Sequence, residues 1–109
     1  MKMELRYTPK AKEDLQNIKA DIMSKFDSEE IAEKVLRKLT ETARNLTVFP
    51  YMGSELVRIT GVLTDYRSLF CMHNYIFYRI EENIIRVVRV LNEKQDYMNI
   101  LFGKMETEK

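Results

Sequence analysis

Three short apolar segments in the second half of the chain constrain its fold more than any other feature. Residues 66–70, 75–80 and 84–91 are rich in tyrosine, phenylalanine, isoleucine and valine, which is typical of β-strands. The connections between them, residues 72–74 and 81–83, are short enough for antiparallel hairpins, and each contains an asparagine, which tolerates positive φ. The segments therefore predict a three-stranded antiparallel meander.

The first half of the chain carries the periodicity of two helices. Residues 3–7 alternate as a short strand does, and Thr8-Pro9 then supplies an N-cap followed by proline at the first helical position. Apolar residues recur every three or four positions from Ala11 to Phe26 and again from Ile31 to Leu46, which marks one buried face on each helix. Because only a few residues separate the two stretches, they predict an antiparallel helical hairpin.

The remaining segments complete an α+β layout. Residues 54–65 leave two alternatives open, a plain loop or a loop with a short strand around residues 56–59. Asp96 to about Gly103 predicts a short C-terminal helix. The chain is thus expected to be one domain over residues 1–103 with a charged tail over 104–109. The order of strand, helical hairpin, meander and terminal helix predicts helices on one face of a mainly antiparallel sheet, with the other face partly open.

Composition excludes several classes of protein. The single cysteine, Cys71, excludes an internal disulfide and a cysteine-based zinc site, and a reducing, cytoplasmic setting is expected. Charge begins at Lys2 and Glu4 with no apolar stretch, so no signal peptide is predicted. No segment approaches the roughly 20 apolar residues of a membrane span. Without a cluster of metal ligands or a phosphate-binding glycine loop, neither a metal nor an organic cofactor is predicted.

Charge is unevenly placed although the net charge is only +1. From residue 58 to residue 89 the chain contains arginine but no lysine, and the guanidinium fork binds phosphate bidentately and stacks on bases. Arg67, Tyr75, Arg79 and Arg86 are therefore predicted nucleic-acid-binding residues on the partly open sheet face. Pairing with an acidic partner protein, or with carboxylates of the chain itself, is the alternative that the same arginines leave open.

Strand parity limits which of these side chains share a face. Tyr75 and Tyr78 point to opposite faces of a regular strand, so one of them belongs to the core. Arg86 and Arg89 also point to opposite faces unless a β-bulge intervenes. His73 lies in a predicted hairpin turn and is expected to be exposed.

Four segments carry a resemblance to a known family. Residues 7–15 join an aromatic strand end to a helix containing Ala11 and Asp14-Leu15, and Leu46-Thr47-Val48-Phe49-Pro50 with Gly53 closes the second helix. Residues 66–69 and 75–78 are the paired strands, and residues 87–97 contain Val-Val-Arg-Val-Leu followed by Gln-Asp-Tyr. In this order the segments resemble the RelE/ParE superfamily of toxins from bacterial type II toxin–antitoxin modules.

The resemblance implies a small growth-inhibiting protein that a co-expressed antitoxin neutralises. Superfamily members similar to RelE cleave mRNA in the ribosomal A site, whereas members similar to ParE poison DNA gyrase and have no known nuclease chemistry. The fold alone does not choose between these targets. An acidic segment of the antitoxin is expected to cover the helical hairpin and the open sheet face.

Metal-free RNA cleavage requires a base for the 2′-hydroxyl, cations for the phosphorane and an acid for the leaving oxygen. The chain departs from nuclease members of the superfamily at two positions, where Tyr75 replaces an arginine and Asn92 replaces a histidine. The candidate catalytic residues that remain are Arg89, Lys94 and Tyr97. Arg89 would stabilise the phosphorane, and Tyr97 would stack on a base or transfer a proton.

Structural roles for the same residues stay open. Tyr97 is interpreted as a packing residue more readily than as a catalytic one. A scaffold role is an equal alternative for Arg67, which would then bind an acidic helix residue such as Asp14. The sequence narrowly favours a ribosome-dependent mRNA endonuclease. A ParE-like gyrase inhibitor without nuclease activity and an inactive antitoxin-binding relative are the alternatives.

Overall fold

The computed structural model describes residues 3–103 and has the predicted order of elements. The strands and helices are β1 (Glu4–Tyr7), α1 (Pro9–Phe26), α2 (Glu29–Asn45), β2 (Ser54–Glu55), α3 (Leu56–Thr60), β3 (Arg67–Cys71), β4 (Asn74–Glu81), β5 (Ile84–Asn92) and α4 (Tyr97–Phe102). The predicted α+β fold, with an N-terminal strand, a helical hairpin, an antiparallel meander and a short terminal helix, is confirmed. The predicted charged tail, 104–109, lies outside the described residues.

The five strands form one sheet in the order β1-β5-β4-β3-β2. The meander β3-β4-β5 is antiparallel, and β2 adds an antiparallel pair to β3. β1 instead runs parallel to β5. A parallel pair needs a long crossover connection, and the helical hairpin forms part of it. The pairing of β1 ends opposite Val87, so the second half of β5 has a free edge.

Capping side chains place both helices where the sequence predicts them. The Thr8 hydroxyl accepts a hydrogen bond from the Ala11 amide at 3.0 Å and donates one to the Val88 carbonyl at 2.9 Å. It therefore starts α1 and joins it to β5. Ser28 caps α2 by accepting from the Ile31 amide at 3.2 Å, and Asp27 between the helices adopts a left-handed φ of 48°.

The main core lies between the hairpin and one face of the sheet, which we call the inner face. Its buried side chains come from both helices, the segment after them and alternate positions of the strands, namely Ala11, Leu39, Ala43, Leu46, Cys71, Ile76, Tyr78, Ile85, Val87 and Val90. Tyr78 is thus the core member of the Tyr75/Tyr78 pair, as parity predicts. Among the residues described here, no helix is both long and apolar enough to cross a lipid bilayer.

The opposite face, which we call the outer face, is less open than the sequence predicts. Leu56, Phe77 and Leu91 are buried there, and α4 packs over them with Tyr97 and three apolar neighbours. This outcome follows from the meander itself, since the positions that alternate with the core residues of β4 and β5 are also partly apolar. Only the half of the outer face near β1 keeps the predicted row of arginines.

Two local expectations are wrong. Residues 56–59 form part of the helix α3, and the short strand of that region is Ser54–Glu55 instead. In the β3–β4 hairpin, Cys71 pairs with Asn74, so positive φ falls on Met72 (51°) and His73 (63°) and not on the asparagine. A two-residue turn of this type needs a left-handed conformation at both central positions, whatever the residues there.

Candidate functional site

Three arginines form a row across the outer face. Arg79 on β4 lies directly opposite Arg86 on β5, and Arg86 lies opposite Arg6 on β1. The neighbours of Arg79 and Arg86 along each strand point into the main core, so these arginines alternate to the outer face. Two of the predicted nucleic-acid-binding residues are therefore adjacent in the sheet, and Arg6 extends the row.

Carboxylates of the chain pair with every arginine of this row. The pairs are Arg86 Nε–Glu81 Oε2 at 2.8 Å, Arg79 Nη2–Asp65 Oδ2 at 3.1 Å and Arg6 Nη2–Glu4 Oε1 at 2.9 Å. The hydrogen bond between Glu81 and Arg86 raises the pKa of the guanidinium and lowers the pKa of the carboxyl. The three positive charges of the row are thus balanced by three carboxylates. This is the arrangement in which the arginines pair with carboxylates of the chain itself, one of the alternatives that the sequence left open.

Arg67 lies on the inner face and holds a loop. It pairs with Tyr78 in the sheet, and its Nη2 donates to the Gly53 carbonyl at 2.7 Å and to the Tyr51 carbonyl at 3.3 Å. Its guanidinium carbon also lies 5.2 Å from the centroid of the Tyr51 ring. Arg67 is therefore placed as a scaffold residue, but the expectation that Asp14 is its partner is wrong.

Asp14 binds Arg89 instead. Arg89 Nε and Nη2 donate to the two carboxylate oxygens of Asp14, each at 2.8 Å, and the Val90 amide donates to Asp14 Oδ2 at 2.9 Å. Asp14 is only 5% exposed, and its hydrogen bonds to Arg89 raise the pKa of the guanidinium. This carboxylate thus occupies the free edge of β5 beyond the last residue of β1.

A β-bulge sets the position of Arg89. Phe77 pairs with Arg89 and Tyr78 pairs with Val87, so Val88 is an extra residue in β5. The bulge puts Arg86 and Arg89 on the same side of the strand by register, which is the exception to parity that the sequence allowed. Arg86 and Arg89 thus occupy the same side of β5 by register, but Arg86 binds Glu81 and Arg89 binds Asp14.

Tyr97 and Tyr75 belong to an aromatic cluster on the outer face. The Tyr97 ring centroid lies 5.2 Å from that of Phe77 and 5.5 Å from that of Tyr75. Both tyrosines are half-buried. Lys94 is exposed in the turn before α4, where its amide donates to Asn92 Oδ1 at 2.9 Å. Among the described contacts, no hydrogen bond, ion pair or ring contact joins any two of the predicted catalytic residues Arg89, Lys94 and Tyr97.

A groove of about 740 Å³ opens between the helical hairpin and the ends of β4 and β5. Ile18, Ile22 and Val35 give it apolar walls, and Lys94 lies on its border. Asn74 also lines the groove and is 3% exposed. Its Nδ2 donates to the Met72 carbonyl at 2.7 Å, whereas its Oδ1 has no partner among the described atoms. Sequence reasoning missed Asn74, because nothing marks an unpaired side-chain acceptor before the hairpin folds.

The groove also brings together a histidine and a carboxylate that the sequence did not connect. His73 Nδ1 lies 2.8 Å from Glu93 Oε2, across the ends of β4 and β5. Both residues line the groove together with Lys94. His73 is exposed, as expected, but it has a partner. Residues 3–103 contain no cluster of three or more His, Cys, Asp or Glu side chains that could hold a metal ion.

A buried hydroxyl anchors the segment that follows α2. The Tyr78 hydroxyl donates to the Pro50 carbonyl at 2.7 Å and accepts from the Gly53 amide at 3.0 Å. A Cβ atom at Gly53 would lie 2.7 Å from the Ser68 carbonyl oxygen and 2.8 Å from the Tyr78 hydroxyl. Glycine is therefore required at this position for close approach of the chain to the sheet.

Replacing Tyr78 with phenylalanine should lower the free energy of unfolding by about 1–3 kcal/mol, because a buried amide and a carbonyl each lose a partner. Urea unfolding measures the change. Tyr75→Phe is the matched control, since no hydrogen bond of the Tyr75 hydroxyl is described, and it should change stability by less than about 0.5 kcal/mol. Equal changes in the two variants would contradict the anchoring role of Tyr78.

Comparison with known proteins agrees with this fold. A family model described as the ParE toxin of the type II toxin–antitoxin system, parDE, matches residues 5–97. Comparison with curated protein sequences finds no significant match.

Three solved structures share the fold. The chromosomal ParDE system from P. aeruginosa has a TM-score of 0.69 and 21% identity, and the match covers 83% of this chain and 95% of that one. The RelBE2 complex from Mycobacterium tuberculosis has a TM-score of 0.61 and 21% identity over 84% and 99% of the two chains. The E. coli DinJ–YafQ complex has a TM-score of 0.53 and 14% identity over 94% and 100%. At these identities the solved structures show the fold alone. The family model that matches residues 5–97 shows that the chain belongs to the ParE toxin family of type II toxin–antitoxin systems.

Proposed function

We propose that this chain inhibits growth by binding a protein target, DNA gyrase, as the ParE-like alternative implies, and not by cleaving RNA. The observation that carries the proposal is the bidentate ion pair of Arg89 with the buried Asp14. Sequence reasoning narrowly favoured mRNA cleavage, with Arg89 stabilising the phosphorane. The geometry around Arg89 supports the opposite order, which is the one proposed here.

A phosphorane needs a cation whose donors and charge are available to it. Two donors of Arg89 are already bound to Asp14, whose negative charge offsets the guanidinium at 2.8 Å. With two of its five N–H groups bound to Asp14 and its side chain only 22% exposed, Arg89 offers a phosphate fewer donors and less uncompensated charge than an exposed arginine would. Tyr97 packs on Phe77 and Tyr75, so its ring also has a structural role.

RNA cleavage is the second candidate function, and one observation favours it. His73 and Glu93 form a hydrogen-bonded pair on the border of the groove that Lys94 also lines. A histidine oriented by a carboxylate is a general base of the kind that attack by a 2′-hydroxyl needs, and a nearby lysine supplies a cation. In this reading, His73 and Lys94 carry the chemistry and Arg89 is structural.

The partner under either target is a cognate antitoxin, and the groove is the surface proposed to receive it. The three solved structures compared above are themselves toxin–antitoxin systems or complexes. An antitoxin segment with apolar side chains would pack between Ile18, Ile22 and Val35. The arginines of the outer face have carboxylate partners already, so the apolar walls of the groove supply most of the binding. Either target places the toxin in the bacterial cytoplasm.

Induced expression in bacteria tests the proposed function. The expected result is growth arrest with a DNA-damage response and intact message by primer extension, together with inhibition of supercoiling by purified gyrase. Tyr97→Phe and His73→Ala should both remain toxic, since neither removes a packing ring or a target contact in this proposal.

The second candidate predicts the opposite pattern in the same cells. Message would be cut at positions in phase with the ribosome, and His73→Ala would abolish the cuts while leaving the thermal unfolding temperature unchanged. Because His73 is exposed, the variant separates chemistry from folding.

A further inference from the structure

A loop after α2 exposes a concentration of apolar side chains. Phe49 and Tyr51 are 63% and 70% exposed, and Val48 and Met52 are exposed beside them. We call residues 48–52 the apolar loop. Scattered apolar side chains are ordinary on protein surfaces, whereas a contiguous group that includes two aromatic rings is typical of interaction sites.

The apolar loop is held rigidly by the sheet beneath it. The Tyr78 hydroxyl bonds to the Pro50 carbonyl, and Arg67 donates to the Tyr51 carbonyl while lying over the Tyr51 ring. The Phe49 amide donates to the Asn45 carbonyl at 3.0 Å, which continues the end of α2 into the loop. A surface that is ordered before binding loses less conformational entropy in a complex. The buried groups thus pre-organise side chains that are largely exposed to solvent.

Cations border the apolar loop. Glu55 is shared between Arg58, at 2.6 Å, and Arg67, at 3.8 Å, so two guanidinium groups face one carboxylate. The border carries more positive than negative charge, and a complementary surface carries carboxylates.

We propose that the apolar loop is the surface that docks on the toxin's protein target, in an apolar site bordered by carboxylates. The inference rests on the proposed function, because it names the part of the chain that contacts the target. A protein is favoured over RNA as the occupant because Val48 and Met52 are aliphatic and cannot stack on bases as aromatic rings do.

The apolar loop and the groove lie at opposite ends of α2. Ile31, in the first turn of the helix, lines the groove, and the loop follows Asn45 at the other end. A helix of this length separates them by about 25 Å. The proposed target surface is therefore distinct from the surface proposed for the antitoxin.

Phe49→Ser and Tyr51→Ser test the inference in a supercoiling assay with purified gyrase, and growth arrest is followed in parallel. Each variant should raise the toxin concentration for half-inhibition about 30-fold, the effect of truncating an interface hot spot. Leu63→Ser is the matched control, because Leu63 is 92% exposed but lies outside the apolar loop. It should match the wild type within about twofold. Thermal unfolding confirms that all three variants fold.

Three results would overturn the inference. If both loop variants inhibit gyrase as Leu63→Ser does while the wild type is active, the docking surface is wrong and the proposed function stands. If the wild type does not inhibit gyrase, the proposed function is wrong, and the inference that rests on it is wrong as well. If the variants keep inhibition but lose binding of a labelled single-stranded oligoribonucleotide, the apolar loop is an RNA surface.

Discussion

Asp14→Ala should lower the free energy of unfolding by about 3–5 kcal/mol, because it leaves Arg89 as a part-buried charge without its partner. The variant also removes the acceptor of the Val90 amide, which lies 2.9 Å from Asp14 Oδ2 at the free edge of β5. The carboxylate therefore joins α1 to the last strand through three hydrogen bonds. Urea unfolding followed by circular dichroism measures the loss.

Asp21→Ala is the matched control for Asp14→Ala. Asp21 lies on the same helix and pairs with Lys25 at 3.2 Å, but both side chains are exposed, so the change should stay within about 0.5 kcal/mol. The double variant Asp14→Ala/Arg89→Ala should lose less stability than the two single variants added together, since it leaves no unpaired charge. Additive losses would show that the ion pair is not the source of the effect.

Phe77→Ala should lower the free energy of unfolding by about 3–5 kcal/mol, the range for removing a buried aromatic ring. Phe77 is fully buried in the outer-face cluster, and its ring is one of two, with that of Tyr75, against which Tyr97 of α4 packs, at 5.2 Å. Loss of the ring removes part of the apolar surface on which α4 packs. Hydrogen exchange should therefore accelerate first at the α4 amides of Ile100 and Gly103.

Phe70→Ala is the control for Phe77→Ala. Phe70 lies on the outer face of the neighbouring strand and contacts Tyr75 at 5.1 Å, but it is about half exposed. Its removal should cost about 1 kcal/mol or less and should leave exchange in α4 unchanged. If the two variants destabilise the protein equally, α4 does not depend on the buried ring.

The helices and the meander could be predicted because their signals are local. Thr8 and Pro9 act on the next helical turn, and the apolar residues of α1 and α2 repeat at a spacing that only a helix places on one face. The prediction was wrong at residues 56–59, where a few apolar residues suit either a strand or a helix. It was also wrong about positive φ at Asn74, because strand register places Met72 and His73 in that turn.

The candidate site was predicted in composition but not in arrangement. The sequence correctly predicts that Arg67, Arg79, Arg86 and Arg89 lie in strands of the sheet. The sequence did not identify their partners, such as Asp14 for Arg89, which is 75 positions away, or Glu81 for Arg86, which lies across the β4–β5 hairpin. The catalytic and nucleic-acid roles of these residues, and of Lys94 and Tyr97, stay predictions.

The sequence by itself determined the class of fold, the helical hairpin, the meander and the membership in a toxin superfamily, because periodicity, caps and motif order act within short stretches of chain. Only the tertiary structure decided that Arg89 is bound by Asp14, that Arg67 holds the apolar loop and that α4 covers half of the outer face. The position of Arg89 depends on the bulge at Val88 and on the parallel pairing of β1 with β5, which ends before Arg89. Both are set by packing between distant segments, which no local pattern specifies.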